Sequence, residues 1–487
     1  MTDGCHGTGA DPRTLTDGAP AGKRQTGLGG SVRLAALAFL LAGLAACGST
    51  RGDPDPYVPR QRPVAEGPAR LAAPSDPGWQ EQPGFVRPRH MNGRTPIRVA
   101  LLLPFGAEDP SVQRVAEALK NAAQLGLFEV QSEDLLLLPK DTKGTPSGAL
   151  AAAEAAINDG AELILGPLFA SSVSAIAGTA QRRSVPIVAF SSDRTVAGSG
   201  IHLLSFQVEE EIRRVVAFAA TQSMTDFAAL VPENAYGDRV AAAFRNDVSS
   251  INGTVRHLVS YQPSADDFRA PVRQLAEYTR RRAALEEQRQ ALASRQDAAA
   301  RRALSRLKEA QTWGPVSFQA VLLPDGGATL RSLAPTLPYY DIDNRSVRFL
   351  GTGLWDDASL WKEQSLQGGW FAAPPPDARS GFTQRFQATY GYSPPRIASL
   401  GYDAVTLAAV LASGDPGERF TETRLTNRDG FIGIDGIFRF IPQGGTERGL
   451  AILEIRDGAV TVVGPAPRRF PADEFAAEDE SLWRPGT

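Results

Sequence analysis

The chain has 487 residues, room for two or three domains, with 42% apolar residues and a net charge of −3. That balance offers no broad electrostatic case for nucleic acid. Two Cys and four His, without HExxH or CxxC spacing, suggest neither a disulfide framework nor a metal site and speak against a zinc or redox enzyme.

Residues 1–30 are rich in Gly, Thr and Asp, a composition that predicts disorder. Lys23, Arg24 and Arg33 then precede an apolar run, residues 34–44, of signal-peptide length and too short to span a bilayer comfortably. The run ends in Leu44-Ala45-Ala46-Cys47-Gly48-Ser49, which resembles the bacterial lipobox. The resemblance implies lipidation at Cys47, with residues 1–47 as leader and preceding extension. Gly48, not Asp, follows the Cys, so anchoring in the outer membrane, facing the periplasm, is the expectation. The alternative is an ordinary signal peptide with an incidental Cys, or a buried helix. Residues 48–95 carry prolines from Pro54 to Pro88 and read as an extended tether. At about 3.1 Å per residue its reach is on the order of 100 Å.

From residue 97 short apolar runs alternate with helical spacing. Strands are expected at 97–103, 135–138, 162–165 and 186–190, and helices at 112–127, 147–158 and 171–182. Such alternation means βαβ units and a parallel sheet. A further strand at 200–206 leads to a second series with strands at 226–231, 254–261, 317–323, 347–350 and 370–372. The expected fold class is α/β with two lobes, each a mostly parallel sheet flanked by helices. The first lobe covers 96–206, completed by part of 373–415, and the second 207–372. Residues 272–312 contain no Gly or Pro and are Arg-rich, predicting a long helix or helical hairpin inserted in the second lobe. Its Arg-rich face reads first as solvated, and alternatively as a docking surface for a partner or anionic headgroups. Residues 431–440 and 449–456 alternate like antiparallel edge strands, with 458–463 completing a hairpin. Residues 416–465 form a C-terminal crossover and hairpin, and 466–487 a polar tail.

Several short motifs fall in a telling order. A strand ends in Leu-Leu-Leu-Pro104. Gly166-Pro167 is followed by Ser171-Ser172, and Pro186-Ile-Val-Ala-Phe by Ser191-Ser192. Tyr236-Gly237, Tyr402-Asp403-Ala404 and Gly433-Ile-Asp-Gly436 come later. Over about residues 94–463 this resembles the type I periplasmic binding-protein fold, and within it the branched-chain amino-acid-binding group. With the lipobox and tether, the chain is most similar to the penicillin-binding protein activator family of outer-membrane lipoproteins. That resemblance implies a non-catalytic protein that binds and stimulates a class A penicillin-binding protein in cell-wall synthesis. The enteric member's N-terminal helical-repeat domain has no counterpart in the short, Pro-rich 48–95. The alternative is a solute-binding lipoprotein for an amino acid or small amide-type ligand, feeding an ABC importer or a sensor.

By resemblance, the cleft residues are Ser171, Ser172, Ser191 and Ser192, which would hold a ligand's carboxylate and ammonium, with Tyr236 opposite. A helix start suits a carboxylate through its free N–H groups and dipole, although Ser171 also reads as a helix N-cap. Glu233 and Asp403 are candidates to pair an ammonium, Asp403 alternatively as a helix–loop contact. Phe105 and Phe169 stand at cleft-facing loops and would partly fill the pocket. No cofactor or metal is expected. Asp356-Asp357 are paired carboxylates on a loop. SxxK spacing at Ser305–Lys308 and Ser359–Lys362 lacks the accompanying SDN and KTG elements, so neither pattern supports an enzyme.

Overall fold

The computed structural model describes residues 84–86, 95–132, 134–265, 267–295 and 297–470. The leader, the lipobox with Cys47, most of the tether and residues 471–487 lie outside the described residues.

The first lobe begins with β1 (Ile97–Leu103), α1 (Pro110–Val130), β2 (Leu135–Asp141), α2 (Pro146–Asn158) and β3 (Leu163–Leu165). It continues with α3 (Ala170–Arg182), β4 (Ile187–Ala189) and β5 (Ile201–Leu203). The five strands pair in parallel in the order β2-β1-β3-β4-β5. Strand β1 is apolar at nearly every position because both faces of its sheet are covered. Val99, Leu101 and Leu103 pack toward α1, while Ala100 and Leu102 pack toward α2 and α3. Helix starts follow local chemistry. The Asp109 carboxylate accepts the Ser111 N–H at 2.7 Å and Thr145 Oγ1 the Gly148 N–H at 3.1 Å, each with Pro in the first turn.

The second lobe follows as α4 (Val208–Thr221), β6 (Asp226–Pro232), α5 (Ala235–Ser250) and β7 (Thr254–Tyr261), then α6 (Arg269–Leu275), α7 (Tyr278–Ala293) and α8 (Ala298–Leu307). After the helices come β8 (Ala320–Leu322), α9 (Gly327–Leu333), β9 (Arg348–Gly351) and β10 (Trp370–Ala373). Helices α10 (Pro376–Tyr390) and α11 (Ala398–Ala412) return to the first lobe and pack on α1, and the short α12 (Glu422–Leu425) caps the same core. The chain ends through β11 (Phe431–Gly433), β12 (Gly436–Phe440), β13 (Thr446–Arg448), β14 (Ala451–Arg456) and β15 (Ala459–Gly464). The last two join the second sheet, β15-β14-β10-β9-β8-β6-β7, with β14 antiparallel to β10.

Three features differ from the sequence reading. Residues 431–440 do not run as one strand beside 449–456. They fold back as the β11–β12 hairpin, which pairs with β13 in a separate three-stranded sheet. The turn forms because the buried Asp403 carboxylate accepts the Ile434 N–H at 2.7 Å. The insert is a hairpin, α7 against α8, one of the two expected forms, but its arginines are not all solvated. Arg281 is buried and bonds Thr312, Gly314 and Asp341, while Arg289 donates to the Leu307 and Ala310 carbonyls, satisfying the end of α8. The tether is fastened before its expected end: Val86 and Leu137 exchange N–H···O bonds of 2.9 and 3.2 Å along the free edge of β2.

Helix α11 crosses α1 at close range, and Gly401 makes that possible. A Cβ there would lie 2.2 Å from the Leu119 carbonyl oxygen, which belongs to a rigid helix. Gly401→Ala is therefore expected to lower stability by about 1–3 kcal/mol, read as a lower urea midpoint. An unchanged midpoint would mean the helices separate freely.

Candidate functional site: the hollow between the lobes

Among the described residues the chain passes between the lobes three times, at residues 204–207, 374–375 and 449–450. Beside these crossings lies a hollow of about 650 Å³ at the carboxyl ends of β3 and β4, where open α/β sheets place ligands. Its walls are Val112 and Val115 of α1, Leu168, Phe169 and Ala170 before α3, Phe190 to Asp193 after β4, Ser205 and Phe206, and Arg396, Ile397 and Leu400. Most of that surface is apolar, with a single cation.

The cation is Arg396. Its guanidinium lies 4.2 Å from the centre of the Phe206 ring, a cation–π geometry, and donates to Glu211 Oε1 at 3.2 Å. Glu211 is buried in the first turn of α4, where the helix dipole favours an anion. Its other oxygen accepts the Gly353 N–H at 2.9 Å. A Cβ at 353 would sit 2.4 Å from both Arg396 Nη1 and Glu211 Oε1, so any larger residue there would push this pair aside. Arg396 belongs to the first lobe and Glu211 with Gly353 to the second, so this triad ties the lobes. Two more ties flank it. Arg239 of α5 is paired with Glu209 and also donates to the Ser192 carbonyl at 2.8 Å. Arg379 of α10 reaches Asp356 at 3.4 Å.

Below the triad, Arg448 is buried against Phe206 and Phe438 and donates through Nε to the Ser205 carbonyl at 3.1 Å. Asp403 and Asp435 lie near it, and Ser399 donates to Asp435. Burial, and secondarily Asp435, push the Asp403 carboxyl up to about 7, against the pull of Arg448. Burial also raises Asp356.

The serines expected from the sequence are divided by the structure. Ser191 and Ser192 line the hollow, Ser192 with its carbonyl engaged by Arg239 and Ser191 Oγ accepting the Asp193 N–H at 3.2 Å. Ser171 and Ser172 do not line it. Ser171 is exposed inside the first turn of α3 and is not its N-cap, a place taken by Phe169 without a capping bond. Ser172 is buried with no partner for its hydroxyl. Tyr236 does not reach across. Its hydroxyl donates to the Pro324 carbonyl at 2.9 Å within the second lobe, and burial raises its pKa. Phe169 lines the hollow, while Phe105 packs on the core with Lys120 at 5.7 Å from its ring. Glu233 accepts from Gln262, away from the hollow, and Asp403 serves the β11–β12 turn.

Asp357 accepts the Ser359 N–H, and Ser359 Oγ takes a bond from Arg331. Among the described residues no group of His, Cys, Asp and Glu could hold a metal ion. Sequence reasoning missed Arg396, Glu211, Phe206 and Arg239. Two signals were present: an Arg set by Pro394-Pro395 just before a helix, and three acids, Glu209 to Glu211, opening α4.

Two α/β lobes joined by three crossings around an apolar hollow define a bilobal binding protein. The periplasmic binding protein family profile matches residues 96–459, and the chain belongs to that family. The fold is similar to a branched-chain amino acid ABC transporter periplasmic ligand-binding protein from Burkholderia xenovorans LB400, with a TM-score of 0.57 and 17% identity over 76% of this chain and 96% of that one. It is also similar to a solute-binding protein of an ABC transporter from Rhodopseudomonas palustris BisB5, in complex with 3,4-dihydroxybenzoic acid. There the TM-score is 0.53 and the identity 16%, over 78% of this chain and 99% of that one. An uncharacterised protein of Rickettsia prowazekii (strain Madrid E), RP748, is 20% identical over 187 residues, 38% of this chain. The match spans about half, 49%, of that relative. Among the described residues no helix is long and apolar enough to cross a membrane.

The raised Asp403 carboxyl sets a pH dependence. A group whose pKa rises on folding holds its proton more tightly when folded. Its contribution is thus full below the unfolded value near 3.8 and is lost as pH rises to about 7. Asp403→Asn can keep the acceptor for the Ile434 N–H and removes the ionisation. Urea midpoints measured from acid to neutral pH should therefore shift in favour of the Asn form as pH rises. A constant difference between the two proteins would contradict this.

Proposed function

We propose that this chain is a non-catalytic lipoprotein, anchored at Cys47 in the outer membrane and facing the periplasm, that binds and activates a class A penicillin-binding protein in cell-wall assembly. The observation that carries the reading is the Arg396–Glu211–Gly353 tie. In a bilobal binder a ligand at the crossings joins the two lobes. Here the chain's own Arg396 and Glu211 bridge them, which favours a surface role over capture and release of a solute. The α7–α8 hairpin adds surface to the second lobe, and the exposed side of α7 gives a contact region that does not depend on the hollow. The Pro-rich segment after Cys47 would let the body reach a partner in the periplasm.

A second reading is supported by the hollow itself: a solute-binding lipoprotein for an amino acid or small amide-type ligand, serving an ABC importer or a sensor. Ser191, Ser192 and the unpartnered, buried Ser205 hydroxyl stand beside Arg396 in an apolar pocket. That donor set suits a small carboxylate with an apolar body.

Residues 48–487 incubated with class A penicillin-binding proteins are expected to be retained on the synthase and to raise its rate of glycan-strand synthesis. Removal of residues 278–310 is expected to weaken both. If no synthase is retained, and amino acids or short peptides raise the melting temperature instead, the solute-binding reading replaces this one. In cells, radiolabelled fatty acid is expected to enter the full chain and to be absent from Cys47→Ala. Equal labelling would place the anchor elsewhere.

A further inference from the structure

The hairpin of residues 278–310 contains nine Arg and Lys against four Asp and Glu, a net +5 in a chain whose total is −3, so the remainder carries −8. The charge is unevenly used. Arg281 and Arg289 bond backbone and side-chain acceptors, Arg280 pairs with Glu277, and Arg295 with Asp297. Of the other five, Arg282 is exposed on α7, and Arg301, Arg302, Arg306 and Lys308 lie on α8 or at its C-terminal end. Ala300 is buried and Leu304 and Leu307 are half-buried, whereas Arg301, Arg302, Ser305, Arg306 and the following Lys308 are all exposed. At 100° per residue these five fall on one side of the helix. Among the described residues none of the four cations has an acidic partner. Arg302 and Arg306 stand at i,i+4, where like charges destabilise an isolated helix. An anionic surface opposite them would turn that repulsion into attraction.

We propose that the outward face of α8 docks on the anionic headgroups of a phospholipid membrane, laying the second lobe against the bilayer that holds the lipid anchor; the anchor itself rests on the reading given above. Two observations select a membrane over a protein. The exposed side of α8 has no large apolar side chain, whereas protein interfaces are centred on buried aromatic or aliphatic anchors and are depleted of charge there. The first lobe is fastened to the incoming chain at Val86, and the Pro-rich sequence between Cys47 and that point reads as a spacer. At about 3.1 Å per residue that spacer reaches on the order of 100 Å, ample for the body to fold back onto its own membrane. Each basic residue near an anionic surface contributes about five-fold to partitioning. Four together give several hundred-fold, an affinity on the order of millimolar. A tethered body has an effective concentration of the same order. The contact is thus reversible, and competes evenly with release.

The test uses residues 48–487, which contain all the described residues. The protein is sedimented with vesicles of phosphatidylcholine alone or mixed with phosphatidylglycerol, at low and high salt. Binding is expected only to the anionic vesicles and to fade at high salt. Arg302→Ala should lower it about five-fold, and Arg301→Ala/Arg302→Ala/Arg306→Ala about a hundred-fold, with circular dichroism and melting temperature unchanged. Binding to neutral vesicles, no binding to anionic ones, or an unaffected triple variant would overturn the proposal. Synthase capture by the triple variant separates the two readings. Capture retained while vesicle binding is lost supports membrane docking. Capture lost in a protein that never bound vesicles assigns α8 to an acidic protein surface instead.

Discussion

A buried carboxylate, Glu211, and the partly exposed guanidinium of Arg396 set the terms for the space between the lobes. Glu211 would be strongly destabilising there alone, because it would be an uncompensated charge at low dielectric. Each is supplied with partners from both lobes: the Phe206 face for the guanidinium, the Gly353 amide and the start of α4 for the carboxylate. The pairing requires the lobes to sit as they do. Separating them would expose Phe206 and leave the charges to find water, so this arrangement of the lobes is stabilised by the chain's own groups.

The surrounding polar network has the same logic at greater depth. Arg448 runs beneath Phe206 to the Ser205 carbonyl, and Asp403 fixes the β11–β12 turn through one backbone bond. Two carboxylates and one guanidinium share an interior site, so burial raises the Asp403 carboxyl even though a cation is near. Buried polar groups of this sort define a conformation more than they add to stability. At this position they hold the crossings, on which any relative motion of the lobes depends.

The distribution of arginine separates two roles that composition cannot tell apart. Within one hairpin, Arg281 and Arg289 are structural because they meet carbonyl oxygens and Asp341. Arg301, Arg302 and Arg306 remain in solvent because the inward positions of α8 are filled by Ala300, Leu304 and Leu307. A helix whose outward charges are all cations, in a chain otherwise acidic, presents a field rather than a shaped surface, and is suited to a diffuse anionic partner.

By itself the sequence determined the lobes. Strands buried on both faces must be nearly continuously apolar, as at 99–103 and 227–231, and helices must alternate with them, so the fold class was legible from periodicity. Spacing placed the starts of α1 and α2 within two residues, and locally they are set by the Asp109 and Thr145 caps with Pro110 and Pro146 behind them. Ser191 and Ser192 were legible as hollow residues because a loop after a parallel strand has one place to go. Tertiary structure alone decided the rest. Ser171 and Ser172 turn away because α3 begins one residue earlier than the cap that their position suggested, and Tyr236 is held by Pro324, nearly ninety residues distant. The pairing of β12 with β13, and the meeting of Glu211 with Arg396 across 185 positions, depend on how two lobes close on each other. Local pattern carries no information about such contacts, because they arise from the crossings and not from any one segment.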